Sequence, residues 1–206
     1  MESALSPSEV LIVVLAAGAS RRLGTAKQLV SIGGEAMLRR QCRCALSAGI
    51  GPALVILGCE AEKHAQAIAD LSIDVRVNDE WPEGMAASLR HAVDAATKRG
   101  TATLILACDQ YRITPDDLRT LHAVWRRAPW LACMSRWGEY AGPPVILPVE
   151  SYDGVKRLRG NMGARALLCE AHRSVPLEVA NARAQYDLDY PEDLALARSW
   201  VSSRSD

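Results

Sequence analysis

The densest chemistry in this chain lies in Leu15-Ala-Ala-Gly-Ala-Ser-Arg-Arg-Leu-Gly-Thr-Ala-Lys27, which follows the apolar run 10–15. Gly18 and Gly24 let the backbone turn tightly and come close to a ligand, and successive N–H groups in such a loop form an anion-binding concavity. Arg21, Arg22 and Lys27 add full positive charge to the same few residues. The combination reads as a phosphate cradle at the end of a buried strand. It lacks the Gly-Lys-Ser/Thr run of a P-loop and the Gly-x-Gly-x-x-Gly of a dinucleotide fingerprint, so it is a nucleotide-handling loop of another kind.

Three distant segments carry groups that complement such a loop. Asp109 emerges from the apolar run 104–108, a position suited either to a carboxylate holding Mg2+ against phosphate oxygens or to a cap for the helix that begins near Asp116 and Asp117. In Asp187-Leu-Asp-Tyr-Pro-Glu-Asp-Leu194, alternate carboxylates of an extended segment share a face. Asp187 or Asp189 then offers a second metal contact, or Asp189 or Tyr190 caps the helix at Pro191 while Glu192 and Asp193 complement its dipole. The segment from Asn78 to Leu89 places Gly84 before a helix with Ser88 in its first turns. That is a helix N-terminus open to an anion or the edge of a base, or an ordinary capped amphipathic helix. In Gly160-Asn-Met-Gly-Ala-Arg165 a turn leads into a helix bearing a cation that reaches phosphate or solvent.

The elements that must position these groups follow a regular rhythm. Apolar β-branched runs at 10–15, 53–57, 74–77 and 103–107 alternate with amphipathic stretches at 36–48, 60–71, 85–98 and 115–127. This alternation predicts a mostly parallel α/β sheet with helices on both faces. After Trp130 the pattern loosens: strands are expected at 131–134 and 144–147 around a loop at 135–142. A short helix at 163–171, a strand at 175–179 and a last helix at 191–200 follow, ahead of a frayed tail at 201–206. In such a sheet ligands gather at the carboxyl ends of the strands, where both the cationic loop and Asp109 lie.

The 206 residues suit a single domain, 1–206, with its core at about 10–200. Lys and Arg number 24, Asp and Glu also 24, so no global field draws the chain to nucleic acid or to an anionic membrane. Residues 1–9 have no signal-peptide pattern and 10–18 is too short to span a bilayer, which leads us to expect a soluble, cytoplasmic protein. Cys42, Cys44, Cys59, Cys108, Cys133 and Cys169 lack metal-type spacing and read as reduced, mostly buried thiols.

Taken together, these segments resemble the molybdenum-cofactor nucleotidyltransferase-like family, most closely its cytidylyltransferase branch. The motif Leu-Ala-Ala-Gly-x-Ser-x-Arg-x-Gly-x-x-Lys is met by Leu15, Ala16, Ala17, Gly18, Ser20, Arg22, Gly24 and Lys27. Supporting matches are Asn78 with Trp81-Pro-Glu-Gly-Met85 and Ser88, then Cys108-Asp-Gln110, Gly142-Pro-Pro144, Gly163-Ala-Arg165 and the Asp187 to Asp193 segment. The resemblance implies a Rossmann-like, glycosyltransferase-A-like nucleotide-diphospho-sugar transferase fold. It implies transfer of CMP from CTP, or of a nucleoside monophosphate from another triphosphate, to a molybdopterin-type acceptor with release of pyrophosphate. It further implies that the motif residues bind nucleotide together with Asn78, Gly84 and Ser88, and that Arg22, Lys27 and Asp109 are catalytic. Mg2+ would sit on Asp109 and Asp189, the acceptor near Gln110, Asn161 and Arg165, and a molybdoenzyme or its maturation chaperone would receive the product. Two departures stand out: Tyr111 replaces a usual Pro, and Asn161 replaces a usual acidic residue. Another phosphorylated acceptor, or a non-catalytic cofactor-delivery module, is the competing expectation.

Overall fold

In the computed structural model, residues 9–170 and 175–202 are described. The expectations for 1–8 and 203–206, and the last residue of the helix expected at 163–171, lie outside them. Strand β1 (Val10–Ala16) is apolar throughout and almost wholly buried, which fits a strand covered on both faces. A two-residue hairpin, β2 (Ser31–Ile32) and β3 (Glu35–Ala36), turns on Gly33 and Gly34, both at positive φ, and leads into α1 (Met37–Ala48). Then come β4 (Ala53–Leu57), α2 (Ala61–Gln66), β5 (Asp74–Val77), α3 (Met85–Arg99), β6 (Ala102–Ala107) and α4 (Pro115–Trp125). The remaining elements are β7 (Cys133–Trp137), β8 (Tyr140–Leu147), α5 (Tyr152–Arg157), α6 (Ala164–Glu170), β9 (Leu177–Ala180) and α7 (Pro191–Ser202).

The main sheet has the order β5-β4-β1-β6-β8-β7-β9, and β8 alone runs against the other strands. Alternate residues of β1 feed two cores. Val10, Ile12 and Val14 pack with Leu38 and Ala45 of α1, Leu118 and Leu121 of α4 and Ala197 of α7. Leu11 and Val13 face Leu89 and Val93 of α3, Val155 of α5 and Ala164 of α6. Helices therefore cover both faces, as the alternation predicts.

The departures have local causes. The expected loop at 135–142 is extended chain: β7 and β8 form a hairpin across Gly138, with Trp137 opposite Tyr140. The Trp137 ring lies over Gly142, whose missing side chain leaves it room, so the Gly that reads as loop is part of the ladder. Helix α2 stops at Gln66 rather than at 71, and residues 67–71 tighten into i→i+3 turns. Helix α5 falls where no helix was expected. Asp117 and Thr114 form a reciprocal capping box at the start of α4, so Asp109 is not needed there.

Among the described residues, no helix is long and apolar enough to cross a membrane. Cys42, Cys44, Cys59, Cys108 and Cys133 are free, and burial pushes the Cys42, Cys44 and Cys133 thiols up to about 12. The Cys169 side chain lies outside what is described.

Candidate functional site

The cationic loop leaves β1 and is folded around one buried amide. Ser20, in left-handed backbone geometry at φ 53°, accepts from the Lys27 N–H at 3.1 Å and donates to Gln28 Oε1 at 3.2 Å. Gln28 Nε2 in turn donates to the Ala16 carbonyl at 3.0 Å and the Gly18 carbonyl at 2.7 Å. With the Gln28 side chain 1% exposed, the amide satisfies carbonyls that would otherwise be buried unpaired. Nothing in the sequence pattern singles out Gln28, because its role depends on the loop already being closed.

This closure carries Lys27 to the carboxyl ends of β1 and β6. Its ammonium donates to Asp109 Oδ2 at 2.5 Å and to Asp189 Oδ1 at 3.0 Å, and Arg22 lies 3.6 Å from the other Asp189 oxygen. Burial works to lower the Lys27 pKa, but the two carboxylates outweigh it and hold the amine well above its ordinary value. Asp109 is held by the backbone bond from Cys108 N–H to the Leu15 carbonyl. Asp193 takes the cap at the start of α7, accepting from the N–H groups of Asp189 and Tyr190 at 2.9 and 2.8 Å. The Asp189 carboxylate is thereby left to face Lys27, and the two roles expected of this acidic segment are divided between two residues.

These groups form one wall of a cavity of about 490 Å3. Trp81, Pro82, the first turns of α3, Pro143 and Asn161 complete its lining. Gly84 sits at φ +122°, and a Cβ there would meet Asn161 Oδ1 at 2.5 Å and the Gly160 carbonyl at 2.6 Å. Only glycine lets the 160–163 turn dock on α3, where the Ala86 N–H donates to Gly160 O.

Residues 12–175 match the MobA-like NTP transferase domain. The chain belongs to that family. It is a nucleotidyltransferase family, and the cavity with its cationic loop and paired carboxylates stands at the strand ends where this fold binds ligand. The chain is 28% identical over 201 residues to the purine catabolism protein PucB of Bacillus subtilis (strain 168), over 92% of this chain and 96% of that one. Among solved structures it is similar to Rv0371c of Mycobacterium tuberculosis H37Rv, at 28% identity and TM-score 0.82 over 95% and 100% of the two chains. A complex of Rv0371c with manganese is similar at 25% and 0.77 over 93% and 98%. Molybdopterin-guanine dinucleotide biosynthesis protein A of Archaeoglobus fulgidus, at 17% and 0.72 over 94% and 100%, shares the fold.

Of the site residues expected from sequence in this NTP transferase, Leu15, Ala16, Ala17, Gly18, Ser20, Arg22, Lys27, Gly84, Ser88, Asp109, Asn161 and Asp189 all line the one cavity. Gly24, Asn78, Gln110 and Arg165 do not. Gly24 serves the turn through its φ of 72°. Asn78 is fully buried and donates to Ser88 Oγ at 3.1 Å, so it acts on the cavity through Ser88. Gln110 turns inward, its amide donating to the Pro143 and Ala184 carbonyls, each at 2.8 Å. The Arg165 guanidinium lies over the Tyr140 ring, 5.9 Å from its centroid.

Asp187 shows how negative this corner is. Partial burial, then the neighbouring charges of Asp109 and Asp189, push its carboxyl up to about 6. The folded protein thus binds this proton more tightly than the unfolded chain does, and stability falls as pH rises from the ordinary carboxylate range toward 6. Asp187→Asn should be more stable than the parent at neutral pH by up to about 1 kcal/mol, solvent screening keeping it below the full linkage value. The difference should vanish near pH 4, the unfolded carboxylate's pKa. Urea unfolding of both proteins across that range in metal-free buffer checks this, and parallel pH profiles would refute it.

Proposed function

We propose that the protein transfers a nucleoside monophosphate, CMP from CTP, to a molybdopterin-type acceptor and releases pyrophosphate. The observation that carries the reading is the convergence of the cationic loop with Lys27, Asp109 and Asp189 on one cavity. The Ala16-Ala17-Gly18 form of the loop, which resembles the cytidylyltransferase branch, favours CTP. The free thiols suit a reducing compartment, and we assign the activity to the cytoplasm.

A divalent cation fits the donor set. Asp109 and Asp189 offer hard carboxylate oxygens near enough for one ammonium to bridge, the kind of donor a divalent cation takes. Bound there, Mg2+ would neutralise charge on phosphate oxygens; the manganese complex of Rv0371c supports use of such an ion.

The chemistry asks little of the protein beyond placement and charge. A phosphate oxygen of the acceptor attacks the α-phosphorus in line, and the bond from that phosphorus to the bridging oxygen of pyrophosphate breaks. The nucleophile is already an anion, so no general base is required. Backbone N–H groups of 17–20 hold the phosphates, with the loop fixed by Gln28. Arg22, largely solvent-exposed in the free site, and Lys27, with three donors to share, neutralise the leaving pyrophosphate.

Thermal unfolding with CTP, GTP, ATP and UTP, each with and without Mg2+, tests the reading. A nucleotide at about a hundred times its Kd adds roughly 2.7 kcal/mol, which at about 2 to 4 °C per kcal/mol moves the midpoint by several degrees. The largest Mg2+-dependent shift is expected with CTP, followed by pyrophosphate release when molybdopterin-type acceptor is added. Binding without release on any phosphorylated acceptor would leave a delivery module instead.

A further inference from the structure

Between β6 and α4, four successive residues grip the segment that bears Asp187 and Asp189. The Asp109 carbonyl accepts from Leu188 N–H at 3.2 Å, and Gln110 Nε2 donates to Ala184 O. Tyr111, 1% exposed, meets Tyr186 edge-on at 6.2 Å and Trp200 of α7 at 5.8 Å. The Arg112 guanidinium carbon lies 3.5 Å from the centroid of the Tyr186 ring, the face-on contact a planar cation makes with an aromatic quadrupole. Arg112 Nε is buried without a hydrogen-bond partner, and the guanidinium sits among three rings, its carbon also 5.5 Å from the Tyr111 ring and 5.6 Å from that of Trp200.

Tyr186 directly precedes Asp187, and residues 186–189 lie between the end of the short turn Ala182–Gln185 and the start of α7, outside any sheet ladder. Buried Leu188 anchors the middle of this stretch, while the direction in which it leaves the anchor is set by what holds Tyr186. We propose that Arg112, stacked on Tyr186 and flanked by Tyr111, is a positioning residue that sets the Asp189 carboxylate against Asp109 and Lys27. The effect of this clamp on turnover rests on the nucleotidyl-transfer reading above; the placement of Asp189 does not.

The full chain carrying Arg112→Leu, Tyr186→Leu, both, or Arg112→Lys tests the clamp without ligand. In each single Leu variant, hydrogen exchange at the Leu188 and Asp189 amides should quicken by about thirtyfold, the worth of one desolvated cation–π contact. Lys27, losing its second carboxylate, should be acylated faster by an N-hydroxysuccinimide ester. The double variant should fall clearly short of the sum of the two single ones, because the Arg112–Tyr186 contact is already lost in each, only their separate contacts with Tyr111 and Trp200 remaining to be lost, and Arg112→Lys should recover part of the effect. Turnover should fall through kcat, with KM for the triphosphate nearly unchanged. Wild-type exchange and Lys27 labelling in the Leu variants, or additive effects in the double one, would overturn the proposal even if activity were lost. If the ligand-free readouts move as expected while even the parent turns over no nucleotide, the clamp stands and the assigned reaction fails.

Discussion

Asp109→Ala is expected to lower nucleotidyl transfer by more than about a thousandfold, beyond the hundred- to thousandfold typical of losing one transition-state hydrogen-bond donor. The carboxylate meets the two requirements at once: it holds the Lys27 ammonium at 2.5 Å and offers oxygens to a divalent cation. The fold should survive its loss. Lys27 keeps Asp189 at 3.0 Å, and the Asp109 carbonyl still accepts from Leu188. A partly exposed ion pair is worth only about 1 kcal/mol or less when another carboxylate remains. The midpoint of thermal unfolding should therefore move by a few degrees at most while turnover collapses. Near-normal pyrophosphate release by Asp109→Ala at limiting Mg2+ would remove Asp109 from the metal site and from the catalytic set.

Much of this site is legible in the sequence because its parts announce themselves locally. Glycines and cations crowd residues 18–27, Asp109 ends an apolar run, and alternation puts Asp187 and Asp189 on one face. What sequence leaves open is which of two sound local roles a residue takes. Asp193 rather than Asp189 caps α7, and only the docking of that segment on Asp109 decides it. Gln28 draws no notice in the sequence and Gln110 is expected near the acceptor, yet each is buried and pinned to two carbonyls, contacts that exist only after distant chain has arrived. The missed elements share a different cause. Strands β2 and β3 are too short to show periodicity, α5 has Gly154 in its middle, and the first half of β8 is masked by Gly142, Pro143 and Pro144. In each, packing and pairing outweigh local preference.

Lys27→Met separates two explanations of the same ammonium. As a bridge alone, Lys27 would serve to hold Asp109 and Asp189 together, and a divalent cation at high concentration would do that work in its place. As the neutraliser of the leaving pyrophosphate, it contributes an interaction that grows in the transition state and that no excess of ions in solution supplies at the right position. The second account is the one expected to hold. Turnover should drop by a few hundredfold, about 3 to 4 kcal/mol of transition-state stabilisation, and should stay low at saturating Mg2+ and nucleotide. The variant should also carry a second signature. With the cation gone, Asp187 loses the neighbouring charge that pulls its carboxyl down and keeps the two carboxylates that push it up, so the acid limb of the pH–rate profile should move upward. Lys27→Arg should restore the pH profile more fully than the rate, since charge returns but a guanidinium fork replaces a compact ammonium. Recovery of wild-type turnover in Lys27→Met by Mg2+ alone would reduce Lys27 to a carboxylate bridge and pass the neutralising role to Arg22.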